Sequence, residues 1–191
     1  LMKGKGETFV SSTQIAKEIN VDPSQVAKDL SFVNISGKTR VGYDICALVD
    51  VLEDFLGFSR VDGAFLVGAG SLGSALLQDK GLSAFGLQIE AAFDTDKTKI
   101  GTKVNDIEIF HIDQFRAMAA ERKVVIGIIT VPAEHAQNVA DLMVAWGIKA
   151  IWNFTPARIK VPTHIVVQNT TIYMNLAILF NKLYNDKGEK K

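Results

Sequence analysis

The sequence predicts an α/β chain organised around a doubly wound, mostly parallel sheet, with a small helical module before it and one helix after it. Two observations carry that prediction. The stretch Phe65-Leu66-Val67-Gly68-Ala69-Gly70-Ser71-Leu72-Gly73-Ser74-Ala75-Leu76-Leu77 runs from an apolar strand through G-x-G-x-x-G into a helix with apolar periodicity. Strand and helix candidates then alternate as far as residue 170, the pattern of parallel strands joined by crossover helices. The expected parts are a helical module over 1–60, the sheet domain over 61–170, and a terminal helix with its tail over 171–191.

The glycine spacing has a mechanism. Gly68 permits a tight turn, Gly70 lets the backbone approach a pyrophosphate, and Gly73 allows the helix to pack closely. Ala69, Ser71 and Leu72 complete the loop, and the helix N-terminus offers its unpaired N–H groups to phosphate. A second strand, Leu87 to Phe93, ends on Asp94, which lies 21 positions after Gly73. An acid at about that spacing binds adenosine ribose hydroxyls, and its charge favours NAD(H) over a 2′-phosphorylated cofactor.

Further strands are expected at Ile107–Phe110, Val124–Ile129, Ile148–Trp152 and His164–Val167, with Gln168-Asn169 following the last. Helices are expected from Asp113, using Phe115, Met118 and Ala119, and in the segment that closes at Gly147, using Ala136, Val139, Ala140 and Met143, with His135 one turn into it. Ligands of such sheets lie beyond the carboxyl ends of the strands. Besides the glycine loop and Asp94, two segments meet that description: Thr130-Val131-Pro132-Ala133-Glu134 and Asn153-Phe154-Thr155-Pro156. These would flank a nicotinamide, or else serve as turn and cap chemistry.

In the first 60 residues, Ser11-Ser12-Thr13-Gln14 opens a helix with capping-box chemistry, with Ile15, Ala16 and Ile19 as its apolar side. Asn20-Val21 ends it. Asp22-Pro23-Ser24-Gln25 starts a second helix, Asp22 as N-cap and Gln25 reaching back, with Val26, Leu30 and Val33 buried. Two short helices across so short a turn form a helix-turn-helix pattern. Ser24, Gln25, Lys28 and Asp29 fall on or near the outward side of the second. Two short strand candidates around Gly37-Lys38-Thr39-Arg40 resemble a hairpin wing, with Lys38 and Arg40 as phosphate or minor-groove contacts. A third helix, Ile45 to Phe58, carries Leu48, Val51, Leu52, Phe55 and Leu56 on one face. Seven Lys/Arg stand against eight Asp/Glu through Arg60, so the residues alone leave DNA binding level with a protein-interaction module.

Over the whole chain Lys+Arg and Asp+Glu are both 21, so no global field announces a nucleic-acid or membrane partner. No signal peptide and no long apolar span is evident, which makes the cytoplasm the expected location. The single Cys46 cannot form an internal disulfide and is expected to pack as a small residue. The run up to Thr8 reads as the tail of a helix that begins before this sequence does.

No catalytic apparatus emerges. His111, His135 and His164 share no motif, no Cys/His cluster suggests a metal, and no substrate domain remains once the sheet is built. The cofactor therefore reads as a ligand to be sensed. Ile172, Met174, Leu176, Ala177, Leu179, Phe180, Leu183 and Tyr184 form a helix apolar around much of its circumference. That breadth suits contact with a second subunit, by exchange of the helix or by simple docking, with packing on its own chain as the alternative. Asp186 to Lys191 reads as a solvated, frayed tail.

Taken together, Ser11-Ser12-Thr13-Gln14-Ile15-Ala16, Lys28-Asp29-Leu30-Ser31, Val41-Gly42-Tyr43-Asp44, the glycine loop, Phe93-Asp94, Thr130 to Glu134 and Asn153 to Ala157 resemble the Rex family of redox-sensing transcriptional repressors. The resemblance covers nearly the whole chain. It implies an N-terminal winged helix-turn-helix, a Rossmann-type NAD(H)-binding domain and a C-terminal dimerisation helix. It also implies a homodimer that binds an inverted repeat in double-stranded operator DNA and releases it when NADH binds, NAD+ competing with little inducing effect. The residues implied to touch DNA are Ser12, Ser24, Gln25, Lys28, Lys38, Arg40 and Tyr43. The family pattern is departed from in three places: at Ala27 where Arg is common, at Thr39-Arg40 where the wing usually reads Arg-Gly, and at Thr171 where an acid usually precedes the last helix. The competing readings are a small NAD-dependent dehydrogenase and a CoA-binding domain.

Overall fold

A computed structural model describes residues 8–185 and divides the chain into two units, Leu1–Val61 and Asp62–Lys191. The expected helix tail before Thr8 and the expected frayed end after Asn185 lie outside the described residues.

In the first unit the elements follow the order β1 (Phe9–Val10), α1 (Ser12–Ile19), α2 (Pro23–Phe32), β2 (Tyr43–Asp44) and α3 (Ile45–Phe55). The Ser11 N–H donates to Gln14 Oε1 at 2.8 Å, and Ser11 Oγ accepts the Gln14 N–H at 3.2 Å, so α1 opens with a reciprocal capping box. Asn20 ends it in the left-handed region at φ 56°. Asp22 caps α2 by accepting the Ser24 N–H at 2.8 Å. Gln25 does not reach back to this cap. Its amide donates instead to Asp29 at 2.6 Å, one turn further along the same helix face.

Val10, Ala16, Val26, Leu30, Ile45 and Leu48 form the core of this unit. Ile19, Phe55 and Leu56 are exposed rather than buried. α3 stops at Phe55 because the chain turns at Gly57, whose φ is +79°, and the last apolar residues leave the core. Cys46 is exposed, so it is not the packing residue its type suggested. The wing is also slighter than expected. One bridge, Lys38 to Gly42, closes the loop, while Tyr43–Asp44 pairs antiparallel with β1. Gly42 permits this turn: its φ is +101°, and a Cβ there would stand 2.4 Å from the Val10 carbonyl oxygen.

The second unit runs β3 (Asp62–Val67), α4 (Ser71–Gln78), α5 (Gly81–Ala84), β4 (Leu87–Asp94), β5 (Lys103–Val104), β6 (Ile107–His111), α6 (Phe115–Arg122), β7 (Ile126–Ile129), α7 (Ala136–Ala145), β8 (Ala150–Asn153), β9 (Val166–Asn169) and α8 (Ile172–Asn185). The sheet order is β5-β6-β4-β3-β7-β8-β9, parallel throughout except for the edge strand β5. Apart from β5 this is the doubly wound order in which the chain starts at the centre and fills each side in turn. Phe65 and Val67 face Phe93, Phe115 and Met143 on the side of α6 and α7, while Ala64 and Leu66 face Leu77, Ile89 and Leu82 on the side of α4 and α5.

Several boundaries differ from expectation. β7, β8 and β9 each begin two residues later, which leaves His164 in the turn before β9, and α6 begins at Phe115 rather than Asp113. His135 ends a short 3-10 turn ahead of α7 rather than lying within the helix. α5 and β5 were not anticipated, being four and two residues long. Every described side chain of α8 from Ile172 to Tyr184 is exposed, so the helix does not bury its apolar surface on its own chain.

Candidate functional site

Strand register brings the expected segments to one edge. Val67 is level with Phe93 on one side and Ile129 on the other, and Ile129 is level with Asn153. Gly68, Thr130 and Phe154 therefore follow strand ends, and Asp94 ends β4, all on the same side of the sheet. They border the place where β3 divides the two halves, the usual crevice of such sheets.

Within the glycine loop each glycine has a distinct reason. Gly68 has φ +102°, and a Cβ there would stand 2.8 Å from the Thr130 carbonyl carbon. At Gly73 a Cβ would come 2.1 Å from the Gly68 carbonyl oxygen, so its absence lets α4 close on the loop itself. Gly70, the N-cap of α4, faces open space and has no side-chain cap bond. The first amides of α4 are thus left free for an anion. Thr130 braces the loop from β7 by donating its hydroxyl to the Gly68 carbonyl at 2.8 Å.

Asp94 closes the other side. Its Oδ2 accepts the Ala69 N–H at 2.9 Å and the Lys99 ammonium at 3.1 Å, and its Oδ1 accepts the N–H groups of Thr95 at 2.8 Å and Asp96 at 3.0 Å. Partial burial opposes the charge, but the Asp96 amide, the Lys99 ammonium and the Thr95 amide hold the carboxyl below its ordinary range. Asp94 in turn raises Lys99 above the usual lysine value.

Val67, Gly68, Gly70, Asp94, Lys99 and Thr130 are among the residues around a cleft of about 520 Å³. A second cavity of about 440 Å³ adjoins it through Thr130, Val131 and Pro132, reaching Leu72, Phe154, Thr155, Pro156 and the first turn of α8. Ala69, Ser71 and Gly73 form the loop behind the cleft without lining it. Asn153 lines neither cavity. Fully buried, it donates to the Ala157 carbonyl at 2.8 Å and to Asn169 Oδ1 at 2.9 Å, and it accepts the N–H and hydroxyl of Thr155. Its side chain shapes the loop rather than facing a ligand.

In the first unit Ser24, Gln25 and Lys28 are exposed on α2, and Lys38 and Arg40 are exposed on the wing loop. The Lys38 ammonium lies 5.2 Å from the centre of the Phe9 ring. Arg40 occupies the loop tip at φ 65°. Ser12 is half-buried at the head of α1. Tyr43 is half-buried too and packs against the core of the unit, a structural position that its expected DNA contact did not anticipate.

A family model described as "Putative DNA-binding protein N-terminus" matches residues 1–31, and one described as "CoA binding domain" matches 61–157. Curated relatives extend across both. The redox-sensing transcriptional repressor Rex of Bacteroides thetaiotaomicron is 62% identical over 183 residues, 96% of this chain and 83% of that protein. That of Porphyromonas gingivalis is 52% identical over 96% of this chain and 84% of the relative. The chain belongs to the Rex family of redox-sensing transcriptional repressors. Among solved structures, RSP in complex with β-NAD+ and operator DNA matches with a TM-score of 0.90 at 29% identity, covering 100% of this chain and 90% of that one. RSP in complex with β-NADH matches with a TM-score of 0.87 at 30% identity, over 98% and 87%.

Membership of Rex sets aside the dehydrogenase alternative, since the relatives are repressors. The α/β fold with its N-terminal winged helix is that of the family. Among the described residues, no group of three or more His, Cys, Asp or Glu could hold a metal, and no helix is long and apolar enough to cross a membrane. Lys99 is among the cleft residues that sequence reading missed, with Thr95, Ile112, Asn138 and Leu142. The run Asp94-Thr95-Asp96-Lys97-Thr98-Lys99 looks like solvated charge, and only the turn it makes brings Lys99 back onto Asp94.

Proposed function

We propose that this chain binds a nicotinamide dinucleotide in the cleft around Gly68, Asp94 and Thr130, and that NADH there releases a homodimer from operator DNA. One observation carries the reading. A glycine loop with open space at Gly70 and free amides at the head of α4 is tied directly to a charged Asp94, giving a diphosphate site beside a ribose site. The Thr130–Pro132 and Phe154–Pro156 segments then border the nicotinamide half. NADH must prefer the DNA-incompetent state, because equal affinity for both states would shift nothing.

Ser24, Gln25 and Lys28 on α2 would enter the major groove, with Lys38 and Arg40 on phosphate or in the minor groove. The exposed apolar surface of α8 supports assembly through that helix. Such a repressor works in the cytoplasm, where its DNA is. An operator gel shift with NADH titrated in tests the proposal: retardation should disappear as NADH saturates, and unchanged retardation would refute it.

The "CoA binding domain" match over 61–157 favours a second reading, in which the glycine loop holds the diphosphate of CoA. Asp94 separates the two. Asp94→Ala should weaken NADH binding strongly, whereas a CoA site has no use for a ribose-diol acid there.

A further inference from the structure

Lys99 sits inside the adenosine end of the proposed dinucleotide cleft, and its role rests on that reading of the cleft. All four acceptor positions of the Asp94 carboxylate are filled: three by backbone N–H groups of Ala69, Thr95 and Asp96, and one by the Lys99 ammonium at 3.1 Å. The three amides are fixed by the glycine loop and the turn after β4. Lys99 is the partner that can move, with its side chain 35% exposed against 13% for Asp94. A ribose hydroxyl that donates to Asp94 must therefore do so at the position Lys99 occupies.

We propose that Lys99 is a specificity-determining residue for the adenosine half of the dinucleotide. Sharing Asp94 with the incoming ribose, its ammonium donates to a ribose oxygen that the acceptor-only carboxylate cannot serve. A vicinal diol needs both an acceptor and a donor, and the Asp94–Lys99 pair presents one of each. Lys99 also lies 3.6 Å from Asp96, so the ion-paired cluster at Asp94 holds two carboxylates and one ammonium. That net negative balance repels the doubly charged phosphate of a 2′-phosphorylated cofactor. Discrimination then belongs to the balance among Asp94, Asp96 and Lys99, not to Asp94 alone. When Asp94 loses its charge, Lys99 is released from its nearest partner and becomes a ligand for the 2′-phosphate.

The experiment is calorimetric titration of the full chain with NADH and with NADPH, for the wild type, Lys99→Gln, Lys99→Arg, Asp94→Asn and the double variant Asp94→Asn/Lys99→Gln. Thermal melting of each variant checks that it folds. Lys99→Gln should weaken NADH roughly tenfold, and Lys99→Arg should recover most of that loss. Asp94→Asn should tighten NADPH by roughly tenfold or more over wild type, and the double variant should lose that gain. A purely structural role for Lys99 would move both cofactors together and leave their ratio unchanged. Unaltered NADH affinity in Lys99→Gln, or an NADPH gain that persists without Lys99, overturns the proposed role. If the wild type binds neither cofactor, the dinucleotide reading itself fails; binding of NADH by the wild type separates the two cases.

Discussion

The backbone N–H of Ala69 donates to Asp94 Oδ2 at 2.9 Å, joining the middle of the glycine loop to the end of the neighbouring strand. One carboxylate thus holds the loop in shape and faces the proposed ribose site. Asp94→Ala removes both roles and leaves the Ala69 amide partly buried without its acceptor. A hydrogen bond to a charged group contributes about 1.5–3 kcal/mol, so NADH affinity should fall by roughly one to two orders of magnitude. Calorimetry on the purified variant measures it, and an affinity within twofold of wild type would contradict the assignment.

Much of this site was legible because its requirements are local. Gly68 and Gly73 are glycines for reasons confined to a few neighbouring atoms, and such reasons leave a spacing that can be read directly. Asp94 was legible by its distance from the loop. Other features depend on long-range packing and leave no periodic trace. β1 is two residues long, and its pairing with Tyr43–Asp44 is visible only once the helices have brought those segments together. Asn153 looked like a ligand because it stands at a strand end, but its neighbours Thr155, Ala157 and Asn169 take its hydrogen bonds. Phe55 and Leu56 fit an apolar stripe, yet α3 ends before the stripe can be used.

Gly70→Ala and Gly73→Ala should fail in different ways. A methyl group at Gly70 enters open space, so folding should be retained while the methyl obstructs the approach of a diphosphate. A methyl at Gly73 meets the Gly68 carbonyl at 2.1 Å, and backbone must shift to relieve it. Overpacking of that kind costs about 1–3 kcal/mol. Melting curves with and without NADH distinguish the two: Gly73→Ala lowers Tm without ligand, whereas Gly70→Ala chiefly abolishes the ligand-induced rise.

The Asp94–Lys99 pair sets a pH window. Asp94 has its folded pKa depressed, so its contribution to stability is complete above the unfolded carboxyl value of about 3.9 and is lost as pH falls through the lower folded value. Lys99 has its folded pKa raised, so its contribution is complete below the unfolded value of about 10.4 and is lost as pH rises through the higher folded value. Between those limits the pair adds no slope. Urea unfolding followed from neutral pH into acid should show a destabilisation in the wild type that is smaller in Asp94→Asn.

Asn153→Ala should be damaging without touching the ligand. The substitution leaves the Thr155 N–H and hydroxyl, the Ala157 carbonyl and the Asn169 side chain to find new partners around a fully buried position. Each buried polar group left unpaired costs about 1–3 kcal/mol, and partial relaxation keeps the total to about 2–4 kcal/mol. Chemical denaturation reads this as a lower midpoint. A loss below about 0.5 kcal/mol would mean that water or local rearrangement replaces the network.

α8 offers the test of assembly. Leu176, Leu179 and Leu183 recur at three- and four-residue spacing on a helix whose described side chains are all exposed, and Phe180 extends the apolar stripe. A stripe of that kind left in water is unfavourable, and a second copy of the same helix-bearing chain can cover it. The double change Leu179→Glu/Leu183→Glu places charge in the centre of that surface, while the sheet core around Phe65, Phe93 and Phe115 is untouched. Light scattering should give a mass near twice 20.8 kDa for the wild type and near 20.8 kDa for the variant. The variant's far-ultraviolet circular dichroism should remain close to that of the wild type. Operator affinity should fall far more than a single half-site contact would explain, because two tethered reading heads no longer bind together. A variant that stays dimeric and retains full operator affinity would remove α8 from the interface.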